Sequence, residues 1–270
     1  MLKIGFLGGG NMTSAIVAGL AANDASAQSV TVMDRHPEKL AKLRALFGVA
    51  EQQSAGEWIG EQNVIVLAVK PQGLKICCEA AAPYLNEQTT VLSIAAAVPA
   101  KSIGHWLKTP HVVRAMPNTP AMVQKGLTGL FASESARAID RERAVSVMRT
   151  VGACEWVREE KQLHLVTAGP GSGPAYVFLF MEALADALEH EGLDAESAKA
   201  FALGTVEGAA ALARMSGEPF SVLRQNVTSK GGTTAKAIEA LEGHDLRGAV
   251  LAAVQACRRR SEEMSELFAD

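Results

Sequence analysis

Apolar positions in the first half of the chain recur in short runs separated by longer mixed stretches. The runs are 2–7, 30–33, 64–69, 91–94 and 111–114. The stretches between them contain ten or more residues with helix-forming composition, and Pro37 opens one that Gly48 closes. The run 64–69 is continuously apolar, which is typical of a strand buried on both faces of a parallel sheet. The pattern predicts right-handed βαβ units that build a parallel sheet.

The second half of the chain has a different pattern. From about Lys161 onward the β-branched runs give way to long helix-forming stretches. These are 175–191, 195–215, 233–241 and 246–267. The predicted fold class is α/β, with an N-terminal Rossmann-like parallel sheet in residues 1–158 and a C-terminal all-helical domain in residues 159–270. Helices rich in small residues, such as Gly204 and Gly208, bury little apolar surface within one chain. We therefore expect the helical domain also to form a homodimer interface.

Composition narrows the function classes. The chain has 270 residues, 48% of them hydrophobic, and a formal net charge of -3, which argues against disorder and against a nucleic-acid partner. Its four cysteines lack CxxC spacing, and its six histidines form no HxxxH pair or Cys/His cluster, so we expect reduced thiols and no bound metal. Neither a signal segment nor an apolar run of membrane-spanning length occurs, so we expect a cytoplasmic protein with no membrane contact.

A glycine loop follows the first predicted strand. Gly8-Gly9-Gly10-Asn11-Met12-Thr13 ends that strand and opens a helix, as a dinucleotide-binding fingerprint requires. Gly8 would permit the tight turn, and Gly10 would let a pyrophosphate approach the helix N-terminus. Thr13 stands where glycine or alanine is usual, so the helix is expected slightly farther from the strand. The position of the loop within a βαβ pattern favours dinucleotide binding over a plain turn.

The end of the second predicted strand bears on the choice of cofactor. Asp34 would accept hydrogen bonds from an adenine-ribose 2′-hydroxyl, which favours NAD. Arg35 would instead pair with a 2′-phosphate, which favours NADP. The two residues indicate opposite preferences, and the sequence leaves the choice open.

Four further segments carry a specific resemblance. They are Ala68-Val69-Lys70-Pro71, Arg114-Ala115-Met116-Pro117-Asn118-Thr119-Pro120, Gly171-Ser172-Gly173-Pro174-Ala175-Tyr176 and Val227-Thr228-Ser229-Lys230-Gly231-Gly232-Thr233-Thr234. With the glycine loop, in this order and spacing, they closely resemble the pyrroline-5-carboxylate reductase family, from Lys3 to about Glu263. That family makes proline by reducing a cyclic imine. The resemblance implies a nicotinamide cofactor, which we expect to be NADPH, with NADH as the alternative. We expect a homodimer, and its further assembly stays open.

The resemblance also implies cofactor contacts. Together with Asp34 and Arg35 at the end of the second strand, the expected cofactor-binding residues are Leu7, Gly8, Gly10, Asn11, Met12, Ala68, Val69, Lys70, Pro71 and Asn118. The loop residues would line the pyrophosphate, 68–71 would flank the ribose and adenine, and Asn118 would lie near the nicotinamide. Judged by its residues alone, 114–120 also fits a rigid, proline-bounded turn. The segment 171–176 would back the nicotinamide and substrate cavity, or simply start a helix at Pro174.

A second glycine-rich loop is the candidate substrate site. The substrate-binding residues implied there are Ser229, Gly231, Gly232, Thr233 and Thr234. Backbone amides at the start of a helix form an anion site, which suits the substrate carboxylate. Thr234 is the expected catalytic residue, an orienting donor and proton relay to the ring nitrogen during hydride transfer from nicotinamide C4. The alternative is that Thr233 and Thr234 only cap the helix.

The sequence departs from the family pattern at two positions. Lys230 stands where the family usually has proline, and Pro170 is an extra proline ahead of the 171–176 segment.

Two other functions compete with this interpretation. A β-hydroxyacid dehydrogenase would need a catalytic lysine in the first long helix of its second domain, and 175–191 contains none. A non-catalytic, NAD(P)-sensing dimer would bind cofactor without turnover, which the intact Gly-Gly-Thr-Thr run disfavours.

Overall fold

The computed structural model describes residues 2–23 and 30–268 of the chain. Its strands are β1 (Ile4–Leu7), β2 (Val30–Met33), β3 (Ala50–Gln52), β4 (Val64–Leu67), β5 (Thr90–Ser93), β6 (Val112–Met116), β7 (Gly126–Ala132) and β8 (Gly152–Trp156). Its α-helices are α1 (Asn11–Ala22), α2 (Pro37–Phe47), α3 (Pro71–Ala81), α4 (Ala100–Leu107), α5 (Ala138–Met148), α6 (Leu163–Val166), α7 (Gly173–His190), α8 (Ala195–Ser216), α9 (Phe220–Asn226), α10 (Thr233–Gly243) and α11 (Leu246–Glu266).

The strands form one twisted sheet in the order β3-β2-β1-β4-β5-β6-β7-β8. Strands β1 to β6 are parallel, and β1 pairs with β2 on one side and with β4 on the other. Strands β2 and β3 therefore lie on one side of β1, and β4 and the later strands lie on the other. The strand order switches direction between β1 and β4, and open α/β sheets bind ligands at such a switch. The predicted fold class, with its Rossmann-like sheet and C-terminal helices, is confirmed.

One part of the sheet departs from the predicted parallel arrangement. Strand β7 runs antiparallel to β6. The connection between them, residues 117–125, is too short for the crossover that a parallel pair requires. Strands β3, β7 and β8 were absent from the sequence prediction. Gly126 and Gly129 interrupt the apolar pattern of β7, and β8 is largely exposed, so neither has the composition of a buried strand.

Two hydrophobic layers cover the two faces of the sheet. Phe6 and Val66 pack with residues of α1, α2 and α5 on one face, and Ile65 and Leu67 pack with residues of α3 and α4 on the other. Successive side chains of a strand point to opposite faces, so a strand buried on both sides must be apolar at every position. The apolar run at β4 is explained by this arrangement.

The chain divides into two compact units, 1–172 with 256–270, and 173–255. The first contains the sheet, and the second contains α7 to α10 and part of α11. In the described residues of the second unit, the only buried side chains are those of Ala198 and Ala202. The predicted functional division at 158/159 stays a prediction. Among the helices of the described ranges, none is both long enough and apolar enough to span a bilayer.

Candidate functional site

Gly8 is required by the backbone at the end of β1. Its φ of +115° lies in a region that other residues rarely adopt, and an added Cβ would stand 2.7 Å from the Ala68 carbonyl oxygen. The amide of Gly8 donates to the Met33 carbonyl at 2.7 Å, so the loop is fixed to β2 as well. Thr13, at the third fingerprint position, is buried and donates its hydroxyl to the Gly8 carbonyl at 2.6 Å. The larger side chain is therefore accommodated by a hydrogen bond within the loop.

Gly10 has a different environment. It is the N-cap of α1 with an ordinary φ of -79°, and no side chain caps the helix there. Apart from Gly10 itself and its two neighbours in the chain, no described residue places an atom within 4 Å of the position that a Cβ on Gly10 would occupy. The first amides of α1, at Asn11 and Met12, have no intrahelical acceptors. An uncapped helix N-terminus with room in front of it fits a pyrophosphate.

A cleft of about 240 Å³ opens at the carboxyl ends of the central strands. Its lining brings together Met12, Ala68, Val69, Lys70 and Pro71, all predicted cofactor residues, and adds Ile94, Ala95, Ala96, Met116 and Pro117. Leu7 is fully buried below the cleft, and its carbonyl accepts the Ala68 amide at 2.8 Å. Leu7 thus contributes backbone structure beneath the site.

The residues after β5 were not among the predicted site residues. Ile94, Ala95 and Ala96 follow the carboxyl end of a central strand, the position at which parallel sheets bind ligands. Ala97, next in the chain, is buried with a φ of +66°. A run of three alanines directly after an apolar strand was the available sequence signal, because small side chains leave room for a ligand beside the backbone.

Asn118 is held by backbone groups on both sides. Its Nδ2 donates to the Pro170 carbonyl at 2.9 Å, and its Oδ1 accepts the Leu127 amide at 2.9 Å. The side chain is only 8% exposed and lies outside the lining of the cleft, while its neighbour Pro117 belongs to that lining. These contacts match the predicted rigid, proline-bounded turn. A contact between Asn118 and the nicotinamide stays a prediction.

The segment ahead of α7 contains a π-helical turn. Residues 167–171 form it, with Pro170 inside, and the Ser172 amide donates to the Thr167 carbonyl at 2.8 Å. Proline has no amide hydrogen and disturbs regular helical hydrogen bonding, so the extra proline noted in the sequence coincides with the widened turn. Helix α7 begins at Gly173, next to Pro174, as predicted for a proline-initiated helix.

Asp34 and Arg35 lie at the end of β2 with different exposures. The Asp34 carboxylate accepts the Gly9 amide at 2.8 Å and the His36 amide at 2.9 Å, and Arg35 is exposed. Burial raises the pKa of Asp34, but these two hydrogen bonds and nearby Lys39 lower it, and the net pKa lies below the ordinary value. Asp34 therefore remains ionised against the glycine loop.

An ion pair between buried Arg114 and half-buried Glu160 was also missed. Arg114 on β6 donates from Nη1 to Glu160 Oε1 at 2.8 Å, and the same oxygen accepts the Ala100 amide at 2.6 Å. Burial lowers the pKa of Arg114, and Glu160 partly offsets this effect. The pair ties β6 to the start of α4. The residues are 46 positions apart in the chain, so spacing in the sequence held no signal of their contact.

The second glycine-rich loop leads into α10, which begins at Thr233 with Gly232 as its N-cap and no side-chain cap. The Gly232 amide donates to the Ser229 carbonyl at 3.0 Å, and Gly231 has a φ of +74°, which favours glycine. Capping by the two threonines is therefore not what the structure shows. Thr233 is exposed and Thr234 is half-buried, while Ser229 and Lys230 are exposed. The arrangement leaves the first-turn amides of α10 available to an anion.

The side-chain chemistry of both loops is free of metal-ligating groups. Within residues 2–23 and 30–268, no three His, Cys, Asp or Glu side chains gather as a metal site. All four cysteines carry free thiols. The groups that the loops offer are backbone amides, hydroxyls, the Asn11 amide and the Lys230 ammonium group, which bind anions and position a ligand.

Comparison with known proteins adds the following findings. Residues 160–264 match the sequence profile described as pyrroline-5-carboxylate reductase dimerisation, and residues 3–97 match one described as NADP oxidoreductase coenzyme F420-dependent. A pyrroline-5-carboxylate reductase of Pseudomonas aeruginosa is 39% identical over 98% of this chain and 97% of its own length. Among solved structures, that of a pyrroline-5-carboxylate reductase from Coxiella burnetii is 42% identical, with a TM-score of 0.94 over 98% of both chains. Plasmodium falciparum pyrroline carboxylate reductase, solved with NADP bound, is 27% identical, with a TM-score of 0.85 over 98% of both chains.

Proposed function

This chain belongs to the pyrroline-5-carboxylate reductase family, and from that premise we propose that it reduces 1-pyrroline-5-carboxylate to L-proline with NADPH. The observation that carries the proposal is similarity to such reductases over 98% of the chain, which includes both glycine-rich loops. In the reaction, nicotinamide C4 gives a hydride to the imine carbon, and the ring nitrogen gains a proton. The cofactor supplies the reducing chemistry, while the protein binds and aligns the reactants.

The cofactor part of the proposal rests on the first unit. Gly8, Gly10, Asn11 and Met12 contact the pyrophosphate at the N-terminus of α1, and 68–71 border the ribose and adenine. The supporting geometry is the uncapped helix start, the open space at Gly10 and the cleft at the carboxyl ends of the strands. NADH is the alternative cofactor, since the reacting nicotinamide is the same.

The substrate part of the proposal rests on the start of α10. The substrate carboxylate binds the amides of Thr233 and Thr234, and Gly231 and Gly232 let the ring approach the backbone; Ser229 completes the loop. The uncapped N-terminus of α10 supports this assignment, because such a terminus carries partial positive charge. The Thr234 hydroxyl orients the ring nitrogen and relays a proton that solvent or substrate supplies, since a hydroxyl is too weak an acid to supply it alone.

Assembly and location are further parts of the proposal. The match to a dimerisation profile over 160–264 supports association of the helical region, and we propose a homodimer whose further assembly is open. A cytoplasmic location agrees with four free thiols and a reduced nicotinamide cofactor.

The direct test is oxidation of NADPH or NADH by the purified chain in the presence of 1-pyrroline-5-carboxylate, followed in the near-ultraviolet band of the reduced nicotinamide. We expect rapid, substrate-dependent loss of that band and formation of proline, with none when the imine is omitted. Cofactor binding without oxidation would contradict the proposal and favour the NAD(P)-sensing alternative.

A further inference from the structure

The side chain of Asn118 does not cap the helix that it precedes. Asn118 is the N-cap of the short 3₁₀ helix Thr119–Val123, a position at which an asparagine side chain commonly accepts an amide of the following turn. Its side chain makes no such bond here and instead joins Leu127 to Pro170, which is 52 residues away from Asn118 in the chain. The side chain is therefore committed to backbone groups outside its own helix.

The Asn118 oxygen replaces a partner strand. The antiparallel register of β6 and β7 pairs Met116 with Gly129, and the same register continued by two residues would bring position 118 opposite Leu127. Strand β6 ends at Met116, however, so the backbone ladder does not extend that far. Asn118 Oδ1 accepts the Leu127 amide at 2.9 Å. The side chain thus satisfies an amide that the end of the strand leaves without a backbone partner.

The Asn118 amide group replaces a missing helical donor. In a continuous α-helix the Pro170 carbonyl would accept the amide of residue 174, but residue 174 is a proline and has no amide hydrogen. Asn118 Nδ2 donates to that carbonyl at 2.9 Å. Asparagine carries a donor and an acceptor on one short planar group, so it satisfies both backbone groups at once, which a carboxylate or an apolar side chain would not.

The turn that Asn118 holds lies against the lining of the cleft. Met116 and Pro117 belong to that lining and directly precede Asn118. Gly171 directly follows Pro170, and a Cβ on Gly171 would stand 3.1 Å from the Met116 methyl carbon. The Met116 methyl group therefore lies beside the space that a side chain at position 171 would occupy. A shift of the turn would move Met116 and change the cleft.

We propose that Asn118 is a positioning residue for hydride transfer, which holds the π-helical turn against Met116 and so shapes the cleft beside the nicotinamide. The inference rests on the proposed function, because it assigns Asn118 a part in the same reaction. Asn118 is buried and lies outside the lining of the cleft, so it acts through the turn. Misplacement of the reactants by about 1 Å can lower a rate about 100-fold. The glycine loop and 68–71 bind the rest of the cofactor, so NADPH affinity depends little on Asn118.

The first test is the kinetic effect of Asn118→Asp, which keeps an acceptor for the Leu127 amide and removes the donor to Pro170. We expect kcat to fall at least about tenfold, while KM for NADPH changes less than about threefold. Asn63→Asp is the matched control, because Asn63 Oδ1 accepts the distant Lys3 amide at 2.9 Å, and it should leave both values unchanged. Active sites are counted by NADPH binding, so unfolded protein does not lower the measured kcat. A smaller fall in kcat, or a larger rise in KM, would overturn the inference.

Gly171→Ala tests the contact between the turn and Met116 from the opposite side. The added methyl group presses on Met116 and leaves both hydrogen bonds of Asn118 in place. We expect kcat to fall about threefold or more with KM for NADPH unchanged, since a flexible methionine yields only in part. Gly169→Ala, in the same turn but with open space at its Cβ position, is the matched control. Equal kcat values in G171A and G169A would refute the role of this contact.

Hydrogen exchange of the full chain without cofactor separates this inference from the proposed reaction. Within the turn, the Ser172 amide donates to the Thr167 carbonyl at 2.8 Å. Loss of one hydrogen bond in N118D should speed exchange of the 167–172 amides about tenfold, and N63D should not. Faster exchange in N118D, with no NADPH oxidation by the wild type, would refute the proposed function and support the hold of Asn118 on the turn. Wild-type turnover with unchanged exchange in N118D would support the function and refute the positioning role.

Discussion

Gly8 and Gly10 stand two residues apart and are glycines for different reasons. At Gly8 the backbone conformation and the Ala68 carbonyl exclude a side chain within the protein itself. At Gly10 the conformation is ordinary and the space beside it is open, so the described part of the chain tolerates a methyl group there. The absence of a side chain at Gly10 is explained by what approaches from outside, which we propose is the cofactor pyrophosphate.

Gly10→Ala should therefore affect mainly cofactor binding, and Gly8→Ala should affect the stability of the folded protein. Gly10→Ala should cost less than about 1 kcal/mol of unfolding free energy, since alanine is a poorer N-cap than glycine, but should strongly weaken NADPH binding. Gly8→Ala should cost about 1–3 kcal/mol because of its left-handed φ. Urea unfolding and NADPH fluorescence titration measure the two effects. Undiminished NADPH affinity in the Gly10→Ala protein would refute the assignment of the pyrophosphate to this loop.

The Thr234 hydroxyl is tested by paired substitutions. Thr234→Ala should lower kcat about 100-fold, the loss typical of one donor to reacting atoms, while NADPH affinity stays unchanged. Thr234→Ser keeps the hydroxyl and should keep most of the activity. Steady-state rates with 1-pyrroline-5-carboxylate, beside NADPH titrations, give both quantities. Equal rates in the alanine and serine variants would exclude a role for the hydroxyl.

At the scale of elements, Asp140 joins helix α5 to strand β5. Its carboxylate is fully buried and accepts the Thr90 hydroxyl at 2.6 Å and the Arg137 amide at 2.8 Å. The Arg137 guanidinium adds two further bonds to it at 2.8 and 2.9 Å. Burial raises the pKa of Asp140, but the bonds from Arg137 and Thr90 lower it, and the net pKa lies below the ordinary value. The ionised form is therefore the one that the fold stabilises.

The sign of the resulting pH dependence follows from linkage. A carboxylate with a depressed folded-state pKa stabilises the protein above its unfolded-state pKa, and this contribution is lost as the pH falls through the folded-state pKa. Asp140→Asn should lower the free energy of unfolding by about 3 kcal/mol near neutral pH. The substitution removes a buried charge and leaves the groups that hydrogen-bond to it without their charged partner. Its deficit relative to wild type should shrink on acidification, as urea unfolding across pH would show. Glu134→Gln, at an exposed site nearby, is the control, and a deficit independent of pH in D140N would contradict the argument.

At the scale of the whole molecule, the unit 173–255 exposes many large apolar side chains. Phe178, Leu179, Phe201, Met215 and Phe220 are all exposed, and α7 contains no buried residue. Exposed apolar surface of this extent marks an interaction face. Since the region matches a profile for dimerisation, a second copy of the chain is the expected cover.

Phe178→Glu should therefore weaken self-association. The side chain is 63% exposed, so little intramolecular packing is lost, whereas a charge in a covered apolar interface is costly. Sedimentation velocity should show a smaller species than for the wild type, and Tm should rise less with protein concentration than it does for an associating wild type. Ile76→Glu, at a 73% exposed position on α3, is the matched control. Unchanged sedimentation of F178E would contradict this interface.

The sequence alone determined the order of strands and helices in most of the chain, the glycine loop and the family. These features depend on local periodicity and contiguous motifs, which a linear sequence preserves. Only the tertiary structure decided that Asp34 holds Gly9, 25 residues away, and that Asn118 holds Pro170, 52 residues away. It also decided that 94–96 line the cleft and that β7 is antiparallel. The direction of a side chain and the pairing of an edge strand depend on neighbours that are distant in the chain, so composition and spacing do not specify them.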